Sequence, residues 1–180
     1  MRVIAGSLKG RRLQTPTWEG LRPTSDKLRE TLFNVVAMRI EGAQVLDGFA
    51  GTGAVGIEAL SRGAGHVTFV ESDDRAVQLI QRNLDHCRVG ERYAIIRARF
   101  TDAARRMSAG SFDLVFLDPP YRSEEIARVL EAAAPLVASD GLVVLEHARR
   151  AVAPPVTASI VKMRDIHSGD SALTIYGATS

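Results

Sequence analysis

Between residues 44 and 147 short apolar runs alternate with longer amphipathic stretches, and this rhythm constrains the fold more than any other feature of the chain. The runs at 44–49, 66–71, 94–98, 113–118 and 141–147 are rich in Val, Ile, Leu and Phe, as strands buried on both faces are. The stretches at 54–61, 75–87 and 124–137 read as helices, the first closed by Gly63. Such alternation implies right-handed crossovers and a mostly parallel sheet with helices on both faces. The tail departs from it. Runs at 158–164 and 172–176 flank HSGD at 167–170, which reverses the chain without a helix, so a terminal antiparallel pair is expected.

Residues 1–40 follow another pattern and are expected to form an extension of a main domain at 41–180. Extended runs at 2–6 and 11–15 flank SLKG at 7–10 and read as a hairpin. After an irregular segment at 16–23, Thr24 or Ser25 caps a helix whose stripe is Leu28, Leu32, Val35 and Val36, with Arg29 and Glu30 away from it. The net charge is only +2, but it is unevenly spread. In the first thirty residues Arg2, Lys9, Arg11, Arg12, Arg22, Lys27 and Arg29 face only Glu19, Asp26 and Glu30. A basic end on a near-neutral body suits a polyanion, because phosphate contacts release counterions; an ordinary solvated surface explains the charge almost as well.

Cys87 is the only cysteine, which excludes a disulfide within the chain, and the four histidines are scattered, so no metal is expected. The lone cysteine favours a reducing, cytoplasmic setting, and no apolar run approaches the roughly 20 residues of a membrane span, so a soluble protein with no membrane partner is expected.

Two segments carry chemistry. The first, VLDGFAGTG at 45–53, runs a buried strand into a glycine turn and a helix start, where backbone N–H groups approach a nucleotide-like ligand. Its continuation completes G-x-G-x-x-G at 51–56, with Glu71 about 20 residues beyond Gly51, so a dinucleotide is one reading. Asp47 argues otherwise. A carboxylate there opposes a pyrophosphate but suits a cationic amino group, while Glu71 suits ribose hydroxyls. The cofactor with an ammonium, a ribose and an adenine is S-adenosylmethionine. Asp73 and Asp74 read as first-turn helix acids.

The second segment is DPPY at 118–121. An exocyclic amino group on a nucleobase is a poor nucleophile, because its lone pair is delocalised into the ring. The Asp118 carboxylate and the Pro119 carbonyl can accept its two N–H bonds and turn the lone pair out of the ring. Pro119 and Pro120 stiffen the arrangement, and Tyr121 offers a ring on which an extruded base stacks.

With these residues in hand the chain resembles the class I S-adenosylmethionine-dependent methyltransferases, and over nearly its whole length the RsmD family of small-subunit ribosomal RNA guanine-N2 methyltransferases. The likeness extends to RVIAGSLKGRR at 2–12, RPTSDKLRETLFN at 22–34, GIEALSRGA at 56–64 and SGDSAL at 168–173. It implies a Rossmann-like α/β fold with a seven-stranded sheet. It also implies a cofactor site at Asp47, Phe49, Gly51, Gly53, Glu71, Ser72, Phe100 and Asp118, with Asp118, Pro119, Pro120 and Tyr121 engaging guanine. Arg2, Lys9, Arg11, Arg12 and Arg22 would grip 16S rRNA within the small ribosomal subunit, and a monomer is expected. Two positions depart from the pattern. Gly48 stands where a larger apolar residue is usual, and Arg99 stands where many class I enzymes set Asp or Asn against the adenine amino group, leaving Phe100 to pack on adenine.

Other functions compete with this one. An adenine-N6 or cytosine-N4 DNA methyltransferase uses the same tetrapeptide, although little chain remains to read a DNA groove. A nicotinamide-dependent oxidoreductase would use the glycine turn, and a non-catalytic RNA-binding module would use only the basic end.

Overall fold

A computed structural model describes residues 1–18, 24–119 and 123–179. In chain order the elements are α1 (Asp26–Val35), β1 (Gln44–Asp47), α2 (Ala54–Ser61), β2 (His66–Glu71), α3 (Asp74–His86), β3 (Tyr93–Arg97), α4 (Phe100–Ala104), β4 (Phe112–Leu117), α5 (Ser123–Ala133), β5 (Val137–Ala148), β6 (Val156–Thr157), β7 (Ile160–Ser168) and β8 (Ser171–Ala178). Among the described residues one sheet of eight strands runs in the order β3-β2-β1-β4-β5-β8-β7-β6. The first five are parallel, and β8, β7 and β6 continue antiparallel.

The strands alternate side chains between two cores. Val45, Phe69, Phe116 and Val144 pack with Leu32 and Phe33 of α1, Ile57 and Leu60 of α2, and Ile80 and Leu84 of α3. Leu46, Val70, Val115 and Leu145 pack with Ala103 of α4 and Ile126 and Leu130 of α5. Strands buried on both faces in this way read as unbroken apolar runs.

Three details differ from the sequence reading. The eighth strand, β6, is only two residues long and pairs with the edge of β7. The helix expected to reach residue 137 ends at Ala133, because Pro135 leads a short 3₁₀ turn at Ala134–Leu136 and the chain enters β5 already at Val137. Helix α4, five residues long, follows β3 in a stretch to which the sequence assigned no element.

The basic N-terminal segment forms the expected hairpin, docked on α2. Arg2 bridges Arg12, and Val3 N–H and Leu13 N–H donate to the Arg11 and Met1 carbonyls at 2.9 and 3.1 Å. Between these rungs the amides of Ile4, Ala5, Ser7 and Leu8 turn to α2, while those of Lys9, Gly10 and Arg11 donate to the Gly6, Val3 and Leu8 carbonyls within the arm. Ile4 and Ala5 donate to the Glu58 carboxylate at 2.8 and 2.9 Å, and Leu8 donates to Ser61 Oγ at 2.9 Å. Gly6 lies so close that a Cβ would sit 1.9 Å from the Ser61 carbonyl oxygen, at a φ of +81°. Arg29, expected to face away from the apolar stripe of α1, is fully buried instead. Its guanidinium donates to the Arg2 carbonyl and Asp26 and lies 3.9 Å from Glu58. Burial pushes it below its ordinary pKa, against the charges of Asp26 and Glu58.

Candidate active site

The strand order reverses direction between β1 and β4, and open α/β sheets bind ligands at the carboxyl ends of strands at such a point. Register brings the acids together there. Asp47 ends β1 opposite Phe116, so Asp118 lies two residues farther along the neighbouring strand direction. Leu117 pairs with Leu145, which places Glu146 beside Asp118. On the other side Asp47 pairs with Phe69, two residues before Glu71.

Each acid has a defined environment. Asp47 is 4% exposed, and its Oδ2 accepts the Gly56 N–H at 2.9 Å. The N-cap of helix α2 is Gly53, with a left-handed φ of 76° and no side chain to cap the helix, so Asp47 satisfies a first-turn amide that would otherwise lack a partner. Burial pushes the Asp47 carboxyl up to about 7; the Gly56 bond opposes this and the Glu71 charge adds to it. Asp118 is pushed up to about 8 by burial first, then by the charges of Glu146 and Asp47. Glu146 is 7% exposed and accepts from Thr24 Oγ1 at 3.2 Å. The sequence reading missed it, although an acid closing the apolar run LVVLE at 142–146 was a visible signal.

Glu71 is held by three amides. Gly51 N–H donates to Oε2 at 2.9 Å, and Ser72 and Asp73 N–H donate to Oε1 at 2.6 and 2.9 Å. A carboxylate offers about four lone-pair sites, so about one remains for a ligand hydroxyl unless an amide is released. Gly51 and Gly53 both turn with positive φ, and Ser72 is exposed beside them. Asp73 caps α3, accepting from Arg75 N–H at 2.7 Å, and its bonds to Arg75 hold it down to about 2.

Phe100 opens α4 and is 3% exposed. Its ring lies 5.4 Å from that of Phe49, centroid to centroid, and a Cβ on Gly48 would come within 2.8 Å of the Phe100 ring and of Leu117. The glycine departure thus has a physical counterpart, because Phe100 fills the volume of the missing side chain. Phe100 forms a wall of the site, and half-buried Phe49 is the more accessible ring. Arg99 is exposed at the N-cap of α4. Pro119 is buried directly after Asp118. Pro120, Tyr121 and Arg22 lie outside the described residues.

Of the remaining basic candidates, Arg2, Lys9 and Arg12 are exposed, whereas Arg11 is half-buried and its guanidinium donates to the Cys87 carbonyl at the end of α3. Among the described residues no cluster of His, Cys, Asp and Glu could hold a metal ion, and no helix is long and apolar enough to cross a membrane.

A family profile described as Conserved hypothetical protein 95 matches residues 1–177. Ribosomal RNA small subunit methyltransferase D of Escherichia coli K12 is 37% identical over 179 residues, spanning 98% of this chain and 89% of that protein. YlbH of Bacillus subtilis is 36% identical over 183 residues, 98% of each chain. The solved structure of Escherichia coli yhhF superposes with a TM-score of 0.87 at 34% identity, covering 99% of this chain and 98% of that one. The chain belongs to the family of Conserved hypothetical protein 95, the RsmD family that its motifs resemble.

Proposed function

We propose that this chain transfers a methyl group from S-adenosylmethionine to the exocyclic N2 amino group of a guanine in 16S rRNA, within the small ribosomal subunit. The observation that carries the reading is the acidic strand edge at the sheet's reversal point. Asp47 and Asp118 are desolvated, repel each other and are both pushed toward the neutral form. A pyrophosphate would worsen that repulsion, whereas a cation relieves it. The donor set therefore fits a ligand bearing positive charge and opposes a nicotinamide dinucleotide. The carboxylate of Glu71 at the glycine turn suits a ribose hydroxyl, and the Phe49 ring suits a planar base.

S-adenosylmethionine, when bound, supplies a methyl group on a positively charged sulfur. Asp118 and the Pro119 carbonyl would accept the two N–H bonds of the guanine amino group and turn its lone pair away from the ring. Positive charge grows on that nitrogen as the new bond forms, so a fixed carboxylate favours the transition state over the ground state. Holding both reactants in line supplies about 7 to 11 kcal/mol of barrier reduction in favourable cases. Tyr121 is proposed to stack on the extruded base. In this reading residues 1–40 grip RNA through Arg2, Lys9, Arg12 and Arg22, and 41–180 form the catalytic domain, working as a cytoplasmic monomer without metal.

The test is transfer of labelled methyl groups to small ribosomal subunits, naked 16S rRNA and duplex DNA. Turnover on subunits supports the proposal. Turnover on DNA with none on subunits would replace it with an amino-directed DNA methyltransferase.

A further inference from the structure

Asn83 is an anomaly in the apolar stripe of α3. The stripe reads Ala76, Leu79, Ile80, Asn83 and Leu84, and Asn83 is fully buried within it. A buried amide with nothing to bond costs stability, so its partners explain its presence. Its Oδ1 accepts the Gln14 N–H at 2.7 Å, and its Nδ2 donates to the Gln14 carbonyl at 3.2 Å and to the Thr52 carbonyl at 3.0 Å. Three bonds fix the amide's orientation, because a flipped amide would set a donor against the Gln14 N–H.

The two partners belong to different parts of the proposed machinery. Gln14 lies in the basic N-terminal arm, two residues after Arg12. Thr52, 4% exposed, sits between the two positive-φ glycines of the turn, next to the Gly51 amide that holds Glu71. One side chain therefore ties the arm to the glycine turn.

A second link runs in parallel along α2, which begins at that turn. Glu58 and Ser61 take the arm amides of Ile4, Ala5, Ser7 and Leu8. The arm is thereby keyed to the cofactor side of the sheet at both of its runs.

We propose that Asn83 is a positioning residue that couples RNA on the arm to S-adenosyl ligands at the glycine turn, so that each tightens the other. The proposal rests on the functional reading above. A displacement of the arm at Gln14 moves the Asn83 amide, and through it the Thr52 carbonyl and the adjoining Gly51 and Gly53 peptides. Linkage requires the effect to be reciprocal, and such couplings typically amount to about 5- to 150-fold in affinity.

The experiment is equilibrium dialysis of radiolabelled S-adenosylhomocysteine, with and without saturating small ribosomal subunits. It compares the wild-type chain with Gln14→Pro and Asn83→Ala. Gln14→Pro removes the N–H that Asn83 accepts while leaving the Asn83–Thr52 bond in place. Subunits are expected to tighten wild-type binding at least about fivefold, at the low end of typical couplings. In Gln14→Pro the free protein should bind the ligand as the wild type does, but with the tightening lost, a pattern that a merely structural role would not produce. Asn83→Ala should lose the tightening too. If that variant does not fold, Gln14→Pro alone decides.

Full tightening in Gln14→Pro would overturn the coupling. So would wild-type protein that binds both partners independently, an outcome that leaves the methyltransferase reading intact. Loss of subunit binding by Gln14→Pro would also overturn it, by making Gln14 part of the grip itself. A wild-type chain that binds neither partner would remove the functional reading and the coupling with it.

Discussion

Glu58→Ala is the substitution that most severely tests how the arm is held. The carboxylate is fully buried and accepts the Ile4 and Ala5 amides at 2.8 and 2.9 Å and Arg62 Nε at 2.8 Å. It also lies 3.9 Å from Arg29 Nε, whose side chain is likewise fully buried. Removing it leaves the Arg29 charge with half-exposed Asp26 as its only anionic partner among the described residues. Breaking a buried ion pair from one side costs about 3–5 kcal/mol. The two amides, at half-buried positions, regain part of their bonding from water, so we take that range as the total. For a chain of this length each kcal/mol lowers Tm by about 2–4 °C, which gives a drop of roughly 6–20 °C. Calorimetry measures the drop, and trypsin reads the arm, since cleavage after Lys9, Arg11 or Arg12 should precede global unfolding in the variant. A loss below about 1 kcal/mol with an unchanged cleavage pattern would refute the reasoning, because it sits far below the cost of an orphaned buried charge.

Three further outcomes follow from the site and its surroundings. Ionised Asp118 is acceptor-only and carries the negative charge that steadies the cation developing on the amino nitrogen, and its carboxyl is pushed up to about 8, so kcat/KM should climb with pH through the neutral range and level off above about 8; a flat profile from pH 6 to 9 would contradict its role. Asp47, raised from 3.8 to about 7, keeps its proton in the native state after the unfolded chain has released it; its contribution to stability should therefore fall as pH rises from about 4 to 7, and Asp47→Asn, which retains an acceptor for Gly56 N–H, should flatten that slope in a Tm series. Charge reversal at Arg2, Lys9 and Arg12 should weaken subunit binding and make its salt dependence shallower by about 0.7 to 0.9 per lost phosphate contact, whereas an unchanged slope would remove the arm from the RNA interface.

The sheet was legible because its strands are buried on both faces, so apolar runs marked β1 to β4 to within two residues at each end. The acids Asp47, Glu71 and Asp118 were legible for a related reason: each stands at the end of such a run, and a parallel sheet gathers those ends along one edge. What stayed hidden depends on contacts distant in sequence. Helix α4 is too short to show a period, and Phe100 looked like an adenine platform until Gly48, about fifty residues earlier, proved to be the space into which it packs. Arg29 seemed to point at solvent because its partners, Arg2 and Glu58, are brought to it only by docking of the arm. Asn83 was visible as a polar residue in an apolar stripe, but nothing nearby in sequence names Gln14 and Thr52 as its partners. The arm was legible as a hairpin, but nothing in its own sequence shows that the amides of Ile4, Ala5 and Leu8 bond to α2.

The central claim is that Asp118 draws a guanine amino group toward a methyl donor held at the glycine turn. The most direct measurement digests small subunits after incubation with S-adenosylmethionine and either wild-type or Asp118→Ala protein, and maps the methylated nucleosides by mass spectrometry. The account predicts N2-methylguanosine at a single 16S site with the wild type and almost none with Asp118→Ala, even though that variant still binds small subunits. Methylation on another atom, or undiminished N2-methylguanosine from the variant, would contradict it.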